Sequence, residues 1–177
     1  MDKTVARDNP GRTRVLVEGA LCVALSVVFS GLKLFSMPQG GSITLEMAPL
    51  FFFAYKYGFG WGFAAGAIAG GFQIIFGGYV VHPIQAFLDY PAAFASIGIA
   101  GVFGQSTKEI IAGTLIASVA RLVCHVMSGV IFFASYAPEG TNVWLCSFIY
   151  NVTFLVPAIL ISAALALTLW KKFLNTI

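Results

Sequence analysis

The sequence predicts an all-α integral membrane protein built from six transmembrane helices. Three observations carry that expectation. Hydrophobic residues make up 59% of the 177-residue chain and charged residues only 10%, where a soluble domain carries roughly 25%. The apolar residues fall into long runs separated by short Pro/Gly-containing or cationic breaks. The cationic breaks alternate with breaks that contain no Lys or Arg, as expected when positive residues stay on the cytoplasmic side.

Residues 1–14 form a basic segment with Lys3, Arg7, Arg12 and Arg14, expected in the cytoplasm, and 15–172 form one membrane domain. The first helix is expected over about 15–36. Its apolar run exceeds the ~7–15 residues of a signal-peptide core and lacks a small-residue cleavage site, so it reads as a span. MPQGGSIT breaks the chain at 37–44, and the second apolar segment, LEMAPLFFFAYKYG, is short against the ~20 residues a crossing needs, so tilt or flanking residues are expected to complete it. The third helix is GWGFAAGAIAGGFQIIFGG and the fourth IQAFLDYPAAFASIGIAGVFG. The fifth is expected over 110–134 and the sixth over 143–170, ending at Lys171 and Lys172. Lys56, Lys108 and both termini then lie inside, and the loops at 37–44, 79–82 and 135–142 outside.

Two sets of small residues have close-packing spacing. Gly62, Gly66 and Gly70 form a GxxxGxxxG row, expected to pack within the bundle. Ala20 and Ala24 form an AxxxA on the first helix, for which internal packing and a docking face for another membrane protein are both open. Cys22, Cys124 and Cys146 have no CxxC spacing and read as thiols within apolar segments. No basic patch interleaved with exposed aromatics suggests nucleic-acid binding.

Ionisable residues at membrane depth are costly and mark protein interiors or cavities. With the orientation above, a rise of 1.5 Å per residue puts Asp89 roughly 8 Å, Asn151 and His125 about 12 Å, and Arg121 about 18 Å below the outer helix ends. Glu46 lies just inside the outer end of the second helix. These groups share the outer half of the bilayer, so a cavity opening outward is expected there. Gln85 and Asp89 share one helix face, followed by Tyr90 and by Pro91. That proline deprives the Phe87 carbonyl of its partner, so a bend beside the carboxylate is expected. Arg121, His125, Ser128 and Phe132 form a stripe at i, i+4, i+7 and i+11, with Phe133 beside it, and Ser147 and Asn151 pair one turn apart near Cys146 and Tyr150. Asp89 and Arg121 are candidates for an ion pair. A carboxylate beside aromatic faces suits a flat organic cation, and Asn and His add directional polar groups.

MPQGGS, HPIQAFLDYPAAFASIGIAG and RLVCHVMSGVIFFASYAPEGTNVWLCSFIYN closely resemble the ThiT (YuaJ) family, thiamine-specific substrate-binding (S) components of energy-coupling factor (ECF) transporters. The similarity covers nearly all the chain after the basic N-terminus. The resemblance implies a bacterial plasma-membrane subunit that captures extracellular thiamine at high affinity and takes no cofactor. It also implies a lid in the first outer loop, and partnership with a transmembrane coupling subunit and two cytoplasmic ATPases. The chain has no GxxxxGK[ST] pattern, so ATP hydrolysis belongs to a partner. In that family an AxxxA contacts the coupling subunit, a role that falls to Ala20 and Ala24.

By the same resemblance Asp89 and Tyr90 match an acidic-Tyr pair, and His125 and Asn151 match binding residues. Arg121 stands where a Lys can occur and Phe133 where a Trp can stack on the pyrimidine. Cys146 replaces a ligand-contacting Tyr, with Tyr150 one turn on as its candidate substitute. A lid Trp is replaced in a loop containing Met37, Gln39 and Ser42. Gln85 and Glu46 complete the expected ligand-binding set. Two rival readings remain from the residues alone. One is a stand-alone proton-coupled transporter of a small organic cation using Asp89 and His125 as a relay, and the other a small intramembrane enzyme with His125 as general base.

Overall fold

The computed structural model describes residues 11–38 and 40–176. Helix α1 spans Arg12–Gly31, α2 Met47–Tyr57, α3 Phe59–Ile75, α6 Thr107–Phe132 and α7 Val143–Thr176. Between α3 and α6 runs a composite rod. It comprises α4 (Pro83–Phe87), a π turn (Leu88–Ala92), α5 (Ala93–Ala95) and a 3₁₀ segment (Ser96–Val102). The described residues thus form six rods. Arg12–Gly31, Thr107–Phe132 and Val143–Leu174 are long and apolar enough to cross a membrane. Large apolar side chains such as Leu21, Ile68, Leu115, Val119 and Leu160 cover the outside. The chain is an all-α membrane protein.

The first helix ends sooner than its apolar run suggests. Ser30 Oγ bonds the Val27 carbonyl at 2.7 Å, and after Gly31 the chain turns into a small antiparallel hairpin, β1 (Phe35–Ser36) and β2 (Ser42–Ile43). Phe35 faces Ile43 and Ser36 faces Ser42. A segment flanking a Pro/Gly-containing turn near the membrane boundary must satisfy its backbone groups internally, and pairing across that turn does so. Gly40 closes the turn at φ 97°, a left-handed conformation that glycine adopts at little cost.

Helix α2 has 11 residues, about 16 Å at 1.5 Å per residue. Met47, Ala48, Pro49, Leu50, Phe51, Phe53, Ala54 and Tyr55 are all buried, so protein surrounds it. A helix apolar on every side belongs in a core. At its lower end Tyr55 bonds Thr114 Oγ1 at 2.7 Å, and Trp170 packs edge-on to Phe52 and Tyr55.

The glycine row on α3 packs internally. A Cβ at Gly62 would lie 2.7 Å from that of Ala54, and one at Gly70 2.6 Å from the Tyr90 carbonyl carbon. A Cβ at Gly66 would run into the Phe94 carbonyl. Gly66→Val is therefore expected to destabilise the bundle by at least about 2 kcal/mol through overpacking, read as a lower thermal unfolding midpoint in detergent. An unchanged midpoint would contradict this packing.

The expected bend at Pro91 takes the form of a π turn in which the Ala93 N–H reaches the Leu88 carbonyl. Such single-turn widenings are frequent at functional sites. Helix α6 begins at Thr107 rather than 110 because Ser106 and Glu109 form a reciprocal capping box. The S-x-x-E spelling of that box is present in the sequence. Asn142 Oδ1 receives the Trp144 and Leu145 amides at 2.9 and 3.3 Å and so starts α7, which continues past the two terminal lysines to Thr176.

The charged ends gather on one side. Glu18 bonds Lys56 at 2.6 Å and Arg14 at 3.0 Å, and Lys56 Nζ lies 4.7 Å from the Phe173 ring centroid. Gln105, in the turn before α6, reaches the Tyr55 carbonyl at 3.4 Å. The start of α1, both cationic turns and the end of α7 therefore share one end. Lys33 is an exception to the alternation read from the sequence: with α1 ending at Gly31, it falls on the hairpin side.

Candidate functional site

At the end opposite the charged cluster lies a cavity of about 520 Å³, within the usual range for small-molecule sites. The hairpin roofs it with Met37, Pro38, Gly40, Gly41 and Ser42. The composite rod, α6 and α7 supply its polar walls. The π turn displays two consecutive residues, Asp89 and Tyr90, and both line it.

Asp89 is the hub. Its Oδ2 accepts from Gln85 Nε2 and from Ser128 Oγ, both at 2.7 Å, and its Oδ1 lies 3.0 Å from His125 Nδ1. An ionised carboxylate only accepts, so Nδ1 carries the hydrogen in this contact. In a neutral imidazole Nε2 is then the acceptor, and Nε2 has no partner among the described residues.

Arg121 does not pair with Asp89. It bonds Glu46 Oε1 through Nη2 at 3.2 Å, while its guanidinium carbon stands 4.0 Å from the Phe94 ring centroid. It is only 4% exposed. Gln73 Nε2 approaches the other Glu46 oxygen at 3.4 Å. Asn151 is anchored by its Nδ2, which donates to the Ser147 carbonyl at 2.8 Å and approaches the His125 carbonyl at 3.4 Å. Gly129 lets α6 and α7 meet closely here, since a Cβ would collide with Ser147 Oγ.

Every described member of the expected ligand-binding set lines this one cavity: Glu46, Gln85, Asp89, Tyr90, Arg121, His125, Phe133, Cys146, Tyr150 and Asn151. Met37 and Ser42 join them, and Gln39 lies outside the described residues. Gln85 and Tyr90 are also held by protein. Gln85 has all its polar atoms in hydrogen bonds, and Tyr90 Oη accepts the Tyr79 amide at 2.6 Å. The aromatic pair after the α6 stripe splits. Phe133 faces the cavity, 6.0 Å from both Tyr79 and Tyr136 between ring centroids, whereas Phe132 stacks on His82 at 5.0 Å. A hydrogen bond with Tyr136 raises the Tyr79 phenol above its ordinary range.

Sequence reasoning missed Gln73, Tyr79, Tyr136, Phe154 and Lys33, all of which line the cavity. Gln73 carried a usable signal, an amide in an otherwise apolar helix. The tyrosines arrive from loops, where no periodicity announces them. Ala20 and Ala24 lie elsewhere, in an apolar groove between α1 and α3 that also contains Val28, Trp61, Ile68 and Phe72. Both alanines are exposed.

The family model described as thiamine transporter protein (Thia_YuaJ) matches residues 16–177. The chain belongs to this family. The Thia_YuaJ match covers every cavity residue named above. A relative, the thiamine transporter ThiT of Bacillus subtilis (strain 168), is 39% identical over 165 residues, 84% of this chain and 85% of that protein. The thiamine transporter ThiT of Lacticaseibacillus paracasei is 36% identical over 107 residues, 53% of this chain and 51% of that protein. Among solved structures, ThiT from Listeria monocytogenes superposes with a TM-score of 0.82 at 28% identity, covering 91% of this chain and 95% of that one. The S component of a bacterial ECF transporter shares the fold, with a TM-score of 0.62 at 14% identity over 94% and 98% of the two chains.

Proposed function

We propose that this Thia_YuaJ chain is the thiamine-binding subunit of an ECF-type importer, held in a bacterial plasma membrane with its charged end in the cytoplasm and its cavity outside. The observation that carries the reading is the charge balance of the cavity. Among the buried and half-buried lining groups, Asp89 and Glu46 are offset by Arg121 alone, with Lys33 exposed on the hairpin side, which leaves one negative charge beside the aromatic faces of Phe133 and Tyr150. Thiamine is a flat monocation whose thiazolium charge is permanent, so its attraction to that charge needs no protonation of the ligand.

Within this reading Asp89 supplies the charge and an acceptor. His125 Nε2, left as an acceptor when Nδ1 donates to Asp89, meets the exocyclic amine of the pyrimidine. Asn151, its Nδ2 tied to the backbone, offers its carbonyl oxygen to the same ring, and Phe133 stacks on it. Glu46, with Arg121 and Gln73 behind it, is the second wall. Cys146 fills the place of a bulkier contact and gives no phenol, so Tyr150 faces the ligand from α7.

The groove beside Ala20 and Ala24 is where a transmembrane coupling subunit docks, since small residues let helix backbones approach within lipid. That subunit and two ATPases supply the energy. Calorimetric titration of the purified chain with thiamine tests the binding, and uptake by vesicles carrying the whole complex tests the docking. Ala24→Trp is expected to abolish uptake while leaving thiamine affinity unchanged. Absent binding, or uptake by the chain reconstituted alone, would overturn the proposal.

A further inference from the structure

We infer that Gln85 is the positioning residue through which the Asp89 carboxylate sets the roof of the cavity, a role that rests on the thiamine-binding reading above. Gln85 is only 1% exposed. A primary amide has two N–H donors and one carbonyl acceptor, and here each is in use. Nε2 donates to Asp89 Oδ2 at 2.7 Å and to the Tyr79 carbonyl at 3.0 Å, while Oε1 accepts the Val81 amide at 3.0 Å. The side chain that borders the binding carboxylate is thus fastened to the loop between α3 and α4 at two backbone points.

Tyr90 fastens the same loop at a third point, since its Oη accepts the Tyr79 amide at 2.6 Å. Asp89 and Tyr90 are consecutive in the π turn, so one short segment holds both the charge and a tether. The roof rests on this loop at its tip and on Phe154 of α7 at Gly41. A Cβ on Gly40 would lie 2.7 Å from the Tyr79 Cβ, which puts the hairpin tip directly against Tyr79. The Tyr79 ring meanwhile packs beside Phe133. Contact therefore runs from Asp89 through Gln85 to Tyr79 and on to Gly40.

A two-stranded hairpin with two paired residues per strand is too small to hold its own position. What it rests on decides where it sits. A cation docking at Asp89 draws on the carboxylate that Gln85 grips by a charge-assisted hydrogen bond, and such bonds are strong in a dry site. The amide transmits the adjustment to the Tyr79 carbonyl. By reciprocity a seated roof holds Asp89 in its binding geometry.

Gln85→Met keeps the bulk of the side chain and removes all three bonds. Hydrogen exchange of the purified chain, followed by mass spectrometry with and without saturating thiamine, tests the coupling. In the wild type, thiamine is expected to slow exchange in the hairpin (34–43), the loop (76–82) and the stretch 121–129 together. In Gln85→Met, thiamine still protects 121–129, but the slowing of the hairpin is lost and thiamine dissociates about 10- to 100-fold faster. Hairpin protection equal to the wild type at saturation would overturn the proposal. Should Gln85→Met not fold, Tyr90→Phe cuts the tether on the Tyr79 amide and is read in the same way. Absence of any thiamine-dependent slowing in the wild type would sink the binding reading itself, and this inference with it. Protection that persists in the variant sinks the coupling alone.

Discussion

Asp89→Asn is expected to weaken thiamine binding by at least about 100-fold, because losing one partner of a buried, hydrogen-bonded charge pair costs roughly 2–5 kcal/mol. The substitution changes little in shape. It removes the one excess negative charge among the buried and half-buried lining groups and replaces an acceptor-only group with one that must also donate. Three neighbours, Gln85, Ser128 and His125, all converge on the carboxylate within 3.0 Å, and an amide NH₂ cannot accept from any of them. The variant should fold, since the remaining amide oxygen keeps part of the network. Calorimetry on folded protein, with the thermal midpoint as control, checks the expectation. Affinity within tenfold of the wild type would remove Asp89 from the binding machinery.

Arg121→Ala is expected to act first on stability. The guanidinium is buried against Phe94 and bonds Glu46, and removing it leaves a carboxylate with only the long contact to Gln73. Breaking a buried ion pair by deleting one partner typically costs about 3–5 kcal/mol. The paired change Glu46→Gln with Arg121→Met removes both charges, leaves the net charge of the cavity unaltered and fills similar volume. It should recover most of the lost stability and keep thiamine affinity within about tenfold, or ~1.4 kcal/mol. Thermal unfolding and calorimetry on the two variants decide the matter. Recovered stability with abolished binding would mean that Arg121 or Glu46 meets the ligand through its charge.

The membrane class, the six rods and most helix-borne polar residues of the cavity were legible because they depend on composition and helical spacing. Asp89, His125 and Asn151 stand out as polar residues in apolar runs, and helix rise alone brings them to a common depth. The partner of Arg121 was not legible. Asp89 and Glu46 both fall in the outer half by counting, and only the packing of α2 inside the bundle puts Glu46 beside the guanidinium. The early end of α1 was hidden for a related reason. Residues 32–36 continue the apolar run closely enough to read as helix, and it is the need to pair backbone across the Pro/Gly-containing turn that makes Phe35–Ser36 a strand. Tyr79 was out of reach because a loop residue obeys no period. Lys33 was missed as a consequence of the α1 boundary, which had absorbed it into a helix.

The short, fully wrapped α2 has a further consequence for how cargo could pass. Phe51, Tyr55, Ile97, Ile110 and Trp170 are each at most 2% exposed, and they fill the half of the bundle between the cavity floor and the charged end. Interiors of this kind pack as densely as organic crystals. A two-ring molecule could not thread them without prising several large side chains apart. The packed half is thus a plug between the cavity and the charged end. In the importer proposed above, a molecule that enters beneath the hairpin returns to the same side, and delivery across the membrane falls to a movement of the whole subunit driven by its partners.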